Sequence, residues 1–219
     1  MVLDDVWYSY PGQRGWALRG VSVSFREGEL VVLLGPNGSG KTTLLKVAGL
    51  LLKPQKGRVI VEGRDYWSQP EEARQAIKKK VVYVHERPIM LKGSVERNIA
   101  YGLFLRGYRE EEALEKARRL LEELGGEKLA GKDARSLSFG EAQLVSIARA
   151  LAVSPHILLL DDPLSGLDLE RQELLLGFLE SYKENGACIV MATHDMQASR
   201  RADKVFRINM GKVLMEARS

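Results

Sequence analysis

The chain is short of several things, and each shortage removes a class of protein. It has a single cysteine, Cys188, so no internal disulfide can form and a disulfide-stapled secreted scaffold is excluded. Within Ala187-Cys188-Ile189-Val190-Met191 that cysteine reads as a buried strand residue, with a reactive thiol as the alternative, and a reducing compartment fits. No apolar run approaches the roughly 18–20 residues of a membrane span. Met1-Val2-Leu3-Asp4-Asp5 lacks the basic start and apolar stretch of a secretion signal. Neither sign of charge dominates: 33 Lys and Arg face 29 Asp and Glu, a net +4 with no long basic block, which does not point to nucleic acid as a partner. What remains is 219 residues, 45% hydrophobic and 28% charged, an ordinary globular composition for one domain or at most two.

Four short apolar runs punctuate the chain: Leu30-Val31-Val32-Leu33-Leu34, Val81-Val82-Tyr83-Val84, Ile157-Leu158-Leu159-Leu160 and Cys188-Ile189-Val190-Met191. Runs without alternation suit strands buried on both faces of a parallel sheet. Helical segments at 41–52, 141–153 and 169–184 alternate with them, which predicts an α/β core. A β-rich fringe is expected at 2–8, 18–25 and 57–63, and a hairpin at 204–208 and 212–215 around Asn209-Met210-Gly211. The stretch from 87 to 135 contains no buried-strand run. Its helix at 110–124 places Leu114, Ala117, Leu121 and Leu124 on one face and pairs Glu112 with Lys116 and Glu115 with Arg119 on the other. The expected division is an α/β core of residues 1–86 and 154–219, with a helical subdomain at 87–153.

Gly35-Pro36-Asn37-Gly38-Ser39-Gly40-Lys41-Thr42 satisfies G-x-x-x-x-G-K-[ST] between a predicted strand and a predicted helix, the context that a phosphate loop requires. Its glycines let backbone N–H groups turn toward phosphate, the helix N-terminus adds its positive end, and Lys41 supplies a full charge. Thr42, followed by Thr43, offers a hydroxyl to Mg²⁺. The predicted strand at 157–160 leads into Asp161-Asp162, two carboxylates placed beside the phosphate crevice: one suits Mg²⁺, the next an attacking water. Thr193-His194-Asp195 brings an imidazole to the same edge, where a structural role is the alternative. A nucleoside triphosphate with Mg²⁺ is the expected ligand.

In this order the motifs resemble those of the ATP-binding-cassette family, and the most specific likeness is Leu137-Ser138-Phe139-Gly140-Glu141, similar to the family's LSGGQ signature. Ser138 to Glu141 is also a capping box, and the two readings are compatible. The resemblance runs from about Val2 to Met215. It implies a P-loop NTPase core with a mainly parallel sheet, an antiparallel β fringe and an inserted helical subdomain. It also implies a head-to-tail dimer with two ATP molecules between subunits, in which Ser138 and Gly140 meet the partner's γ-phosphate. Asp168, in Ser165-Gly166-Leu167-Asp168, matches the loop that crosses the dimer seam, His194 the switch histidine, and Tyr10 the aromatic that stacks on adenine, with Tyr8 its rival. Four positions depart from the family pattern: Asp162 stands for glutamate at the general base, Glu86 for the glutamine that touches Mg²⁺ and water, Phe139 for glycine and Glu141 for glutamine.

The function implied by the resemblance is the ATPase subunit of a membrane transporter, an importer rather than an exporter. It would sit peripherally at the cytoplasmic face of the cell membrane, dimerised with itself or a paralogous ATPase and docked to separate integral-membrane subunits through 87–105. Two other classes carry the same motifs. A weakly hydrolysing nucleotide-gated module is motivated by Asp162 and Glu86; a soluble ATPase of DNA repair or translation would call for a long coiled coil or a second cassette.

Overall fold

The computed structural model describes residues 1–218. β1 (Val2–Tyr8) and β2 (Leu18–Ser24) pair antiparallel, and the chain then enters β3 (Leu30–Leu34), buried at all five positions, and α1 (Lys41–Ala48). β4 (Lys56–Val61) returns to pair antiparallel with β1, and β5 (Arg64–Asp65) completes a fringe sheet ordered β2-β1-β4-β5. After α2 (Glu71–Lys78) and β6 (Val81–Val84) come three helices, α3 (Val95–Phe104), α4 (Glu110–Glu123) and α5 (Phe139–Ala152). Next are β7 (Ile157–Asp161), α6 (Leu169–Glu184), β8 (Cys188–Thr193) and α7 (Met196–Arg201), then the hairpin of β9 (Lys204–Asn209) and β10 (Lys212–Arg218).

The main sheet is ordered β10-β9-β3-β8-β7-β6. Its neighbours are parallel except for the β9–β10 hairpin, whose Met210 and Gly211 both take positive φ, as a tight turn between twisted strands requires. Alternate residues of β3 serve two cores. Leu30, Val32 and Leu34 pack with the helical side, including α3, α4, α5 and α6, while Val31 and Leu33 pack with α1 and the fringe sheet. A strand buried on both faces contributes about 1.5–3 kcal/mol per large side chain before entropy is counted, so its register is firmly held. β3, β6, β7 and β8 all run the same way, which brings the ends at Leu34, Val84, Asp161 and Thr193 to one edge, where ligands of parallel α/β sheets bind. Cys188 is buried at the opposite edge, and burial pushes its thiol up to about 12, which removes the reactive reading.

Several local expectations are corrected. The helix expected at 41–52 stops at Ala48, because Gly49 caps it and Leu50 turns left-handed at φ +59°. The helix expected from 141 starts at Phe139, since Ser138 is its cap. On α4 the Glu115–Arg119 pair forms at 3.3 Å, but Lys116 turns to Ser154 Oγ at 3.1 Å instead of Glu112, and Ala113 rather than Leu114 is the fully buried neighbour of Ala117. The helices α2 and α3 carry too few buried residues or too mixed a pattern to stand out in sequence; α3 becomes visible through its capping Ser94, which accepts from Arg97 N at 3.4 Å.

Candidate active site

The loop between β3 and α1 is shaped by positions where no side chain fits. A Cβ on Gly35 would lie 2.2 Å from Ile208 O, and one on Gly40, at φ +109°, 2.7 Å from Ala17 O. The first turn of α1 has no side-chain cap and no acidic residue, so its N–H donors face a ligand position unopposed. Lys41 Nζ donates to the carbonyls of Gly35 at 2.6 Å and Pro36 at 3.0 Å. Burial lowers its pKa, while Asp161 and Asp162 oppose that fall. Ser39 Oγ is buried with no hydrogen-bond partner, a donor left over beside the loop.

Around that loop lies a cleft of about 520 Å³. Lys41, Thr42, Glu86, Asp161, Asp162 and His194 all line it, although they come from four separate stretches of chain. Asp161 is buried and accepts from Thr42 Oγ1 at 3.1 Å and Tyr83 Oη at 2.9 Å. Burial pushes its carboxyl up, the two hydroxyls pull it down, and nearby Glu86 raises it again. Asp162 adopts a left-handed backbone, φ +46°, a conformation that aspartate tolerates better than most residues, with its N–H held by Ala192 O at 2.8 Å. Its Oδ1 lies 3.5 Å from both Thr193 Oγ1 and His194 Nδ1. The His194 side chain is 77% exposed, free to meet a ligand rather than serving the core.

The two candidate aromatics separate cleanly. Tyr8 is in the core, and Tyr10 lines the cleft with its hydroxyl 3.2 Å from Thr43 Oγ1 and its ring edge-on to Tyr8. The cleft also contains residues the sequence reading passed over, Gln13, Arg14, Trp16 and Thr193 among them; their only sequence signal is adjacency to Tyr10 and His194. Ser138, Gly140 and Asp168 lie outside it. Ser138 borders a separate depression with Arg87, Met90 and Phe139, and Asp168 caps α6 by accepting from Arg171 N at 2.9 Å. Gly140 is packed so tightly on the loop before α6 that a Cβ would stand 2.2 Å from Gly166 O.

Among the described residues no three His, Cys, Asp or Glu side chains are grouped to hold a metal by themselves. One hydroxyl, one buried carboxylate and a second carboxylate nearby, all beside a phosphate loop, instead fit Mg²⁺, which keeps waters and shares its shell with phosphate oxygens.

A phosphate loop, an acidic strand end and a helical insertion on a parallel sheet define a nucleotide-binding ATPase module. The sequence profile described as ABC transporter matches residues 18–165, and the chain belongs to that family as an ATP-binding subunit. It is 35% identical over 210 residues to the phosphate import ATP-binding protein PstB 2 of Natronomonas pharaonis, covering 90% of this chain and 73% of that protein. It is 36% identical over 200 residues to the lipoprotein-releasing system ATP-binding protein LolD of Hyphomonas neptunium, covering 90% and 88%. A solved dimeric ATP-binding cassette in a post-hydrolysis state, bound to ADP and Pi, superposes with a TM-score of 0.89 at 30% identity, covering 99% of this chain and 97% of that one.

Proposed function

We propose that this chain binds and hydrolyses Mg-ATP in the cleft at the strand ends and uses the cycle to drive import through separate integral-membrane subunits. The observation that carries the reading is the convergence of Lys41, Thr42, Glu86, Asp161, Asp162 and His194 on one cleft. Lys41 leaves its loop carbonyls for the β and γ oxygens, the loop N–H groups hold the β-phosphate, and Tyr10 takes the adenine face. Thr42 and Asp161 hold the cation, with Glu86 beside them. When bound there, Mg²⁺ would supply charge neutralisation to the phosphates. Asp162 orients the attacking water and accepts its proton, steadied by Thr193, while His194 fixes the γ-phosphate.

Dimerisation is supported by what the cleft omits. Ser138, Gly140 and Asp168 belong to the family's motifs but lie away from their own chain's cleft, so a second copy or a paralogue must present them across an interface. The membrane partner is assigned to 87–105, where Ile89, Tyr101 and Leu105 are exposed large apolar side chains, while Met90 packs partly on the core. The phosphate-importing relative favours import; the lipoprotein-releasing relative favours a second reading, release of a lipid-linked cargo. No helix among the described residues is long and apolar enough to cross a membrane, and in this reading the chain acts peripherally at the cytoplasmic face.

Single-turnover hydrolysis tests the chemistry. Asp162→Asn should slow phosphate release by about 1000-fold, within the range for loss of a general base, whereas Glu86→Gln should retain it. The reverse pattern moves the base to Glu86. Charge substitution at Ile89 should abolish co-purification with the membrane subunits and spare basal ATPase activity; retained co-purification rejects the docking assignment.

A further inference from the structure

Asp161 has 3% of its surface exposed, yet both of its carboxylate oxygens have a hydroxyl donor: Thr42 on Oδ1 at 3.1 Å and Tyr83 on Oδ2 at 2.9 Å. The first donor belongs to the phosphate loop. The second belongs to no motif, and sheet register accounts for its position. β6 and β7 run parallel with Tyr83 opposite Leu159, and both side chains lie on the face that packs against α1. Asp161, two residues beyond Leu159, projects from that same face, and a tyrosine is long enough to reach one pleat forward. The side chain has close neighbours at its base and beside its ring. A Cβ on Gly49 would come 3.3 Å from Tyr83 Cβ, and the His85 ring stands edge-on at 6.1 Å. A hydroxyl on a partly buried ring, carried by a strand rather than a loop, is placed to orient its acceptor.

We propose that Tyr83 is a positioning residue for the divalent cation: by holding Oδ2 of Asp161 it fixes the carboxylate plane, so that Oδ1 stays turned toward Thr42 and the ion. The inference rests on reading Thr42 and Asp161 as the cation-holding pair. Tyr83 has one proton to donate and gives it to Asp161, so deleting that hydroxyl leaves a buried carboxylate oxygen without its donor. Partners of this kind, which orient a ligand without touching the metal, typically change metal affinity by about 10–100-fold when removed.

The test is Tyr83→Phe, which removes one oxygen and keeps the ring. With the full chain and a saturating non-hydrolysable ATP analogue, Mn²⁺ binding followed by electron paramagnetic resonance should weaken about tenfold, with affinity for the metal-free analogue unchanged. Turnover should fall at limiting Mg²⁺ and recover at excess Mg²⁺, a rescue that a damaged fold would not give. Unchanged Mn²⁺ binding overturns the proposal, and so does an equal loss of metal-free nucleotide binding. Thr42→Ala, measured alongside, separates the two readings. If it weakens Mn²⁺ binding and Tyr83→Phe does not, the Tyr83 proposal alone fails; if neither does, the cation assignment fails as well.

Discussion

The N-termini of α1 and α5 both follow phosphate-related motifs, and they are built in opposite ways. α1 starts from a left-handed Gly40 with no side-chain cap and no acid in its first turn. α5 starts from Ser138, whose hydroxyl accepts from Glu141 N at 3.3 Å while Glu141 Oε2 accepts from Ser138 N at 2.8 Å; Lys132 Nζ donates to the other Glu141 oxygen at 2.9 Å. One helix end has no side chain of its own over its donors, and the other carries a capping box that takes up the Glu141 and Ser138 N–H groups. An anion reaching α1 has only to draw Lys41 from two carbonyls, whereas an anion reaching α5 must displace a carboxylate held by its own ion pair. In the proposed dimer, this difference would let the α1 site bind nucleotide first, since it is open as folded, while the α5 end would yield only to a fully charged competitor.

Lys41→Ala should produce the largest effect on this contrast. Loss of a charge-assisted phosphate contact of about 1.5–3 kcal/mol should weaken Mg-ATP by up to about 100-fold in calorimetric titration. The thermal midpoint should hold, because among the described residues Nζ hydrogen-bonds to loop carbonyls and is not part of the apolar core. Undiminished affinity would dissolve the distinction between the two helix ends. Next comes Ser138→Arg, which removes the α5 cap and fills the space before it. ATP-induced dimers should disappear from light scattering while binding to the monomer persists; dimers that survive would mean that α5 is not the second phosphate site.

Asp162→Glu addresses the chemistry between these ends. The added methylene advances the carboxylate by roughly 1.3–1.5 Å, and misplacement of about 1 Å can cost on the order of 100-fold. Single-turnover hydrolysis should therefore quicken by about tenfold at unchanged ATP affinity, part of the gain being offset because glutamate suits the left-handed backbone less well than aspartate. No gain would mean that the backbone at Asp162 already brings the shorter side chain into place.

Glu141→Gln should give the smallest change and sharpens the comparison most directly. Removing the negative charge at the α5 N-terminus costs well under about 1 kcal/mol of helix stability, but it should lower the ATP concentration for half-maximal dimerisation. The Ser138 N–H first, and Lys132 next, hold the Glu141 carboxyl below the usual range. Its contribution to stability is therefore present above the unfolded value of about 4.3 and is lost as pH falls through the depressed folded value. The thermal midpoints of parent and Glu141→Gln should differ at neutral pH and converge in acid. A constant difference would place the effect outside the capping box.

Local chemistry was enough to establish the phosphate loop, the four core strands, the helix at 169–184 and the capping box at Ser138, because each depends on residues within a few positions of one another: a glycine spacing, an apolar run, a cap three residues from its acceptor. The strand at 81–84, expected to be buried on both faces, lies at the sheet edge with Val82 and Tyr83 only partly covered. Tyr10 was preferred to Tyr8 only through the family likeness, since residues two apart in a strand share a face; the structure ends β1 at Tyr8, which stays in the core, and puts Tyr10 on the cleft. Lys116 likewise went to Ser154 rather than Glu112 because the end of α5 lies within its reach, a fact with no trace in the α4 sequence. Tyr83 reads in sequence as strand filler and meets Asp161 only through the parallel register of β6 on β7. Sequence by itself determined which chemical groups the protein has and which local structures carry them. Tertiary structure decided which of those groups share a cleft, because that depends on strand order and register set by two cores assembled from distant parts of the chain.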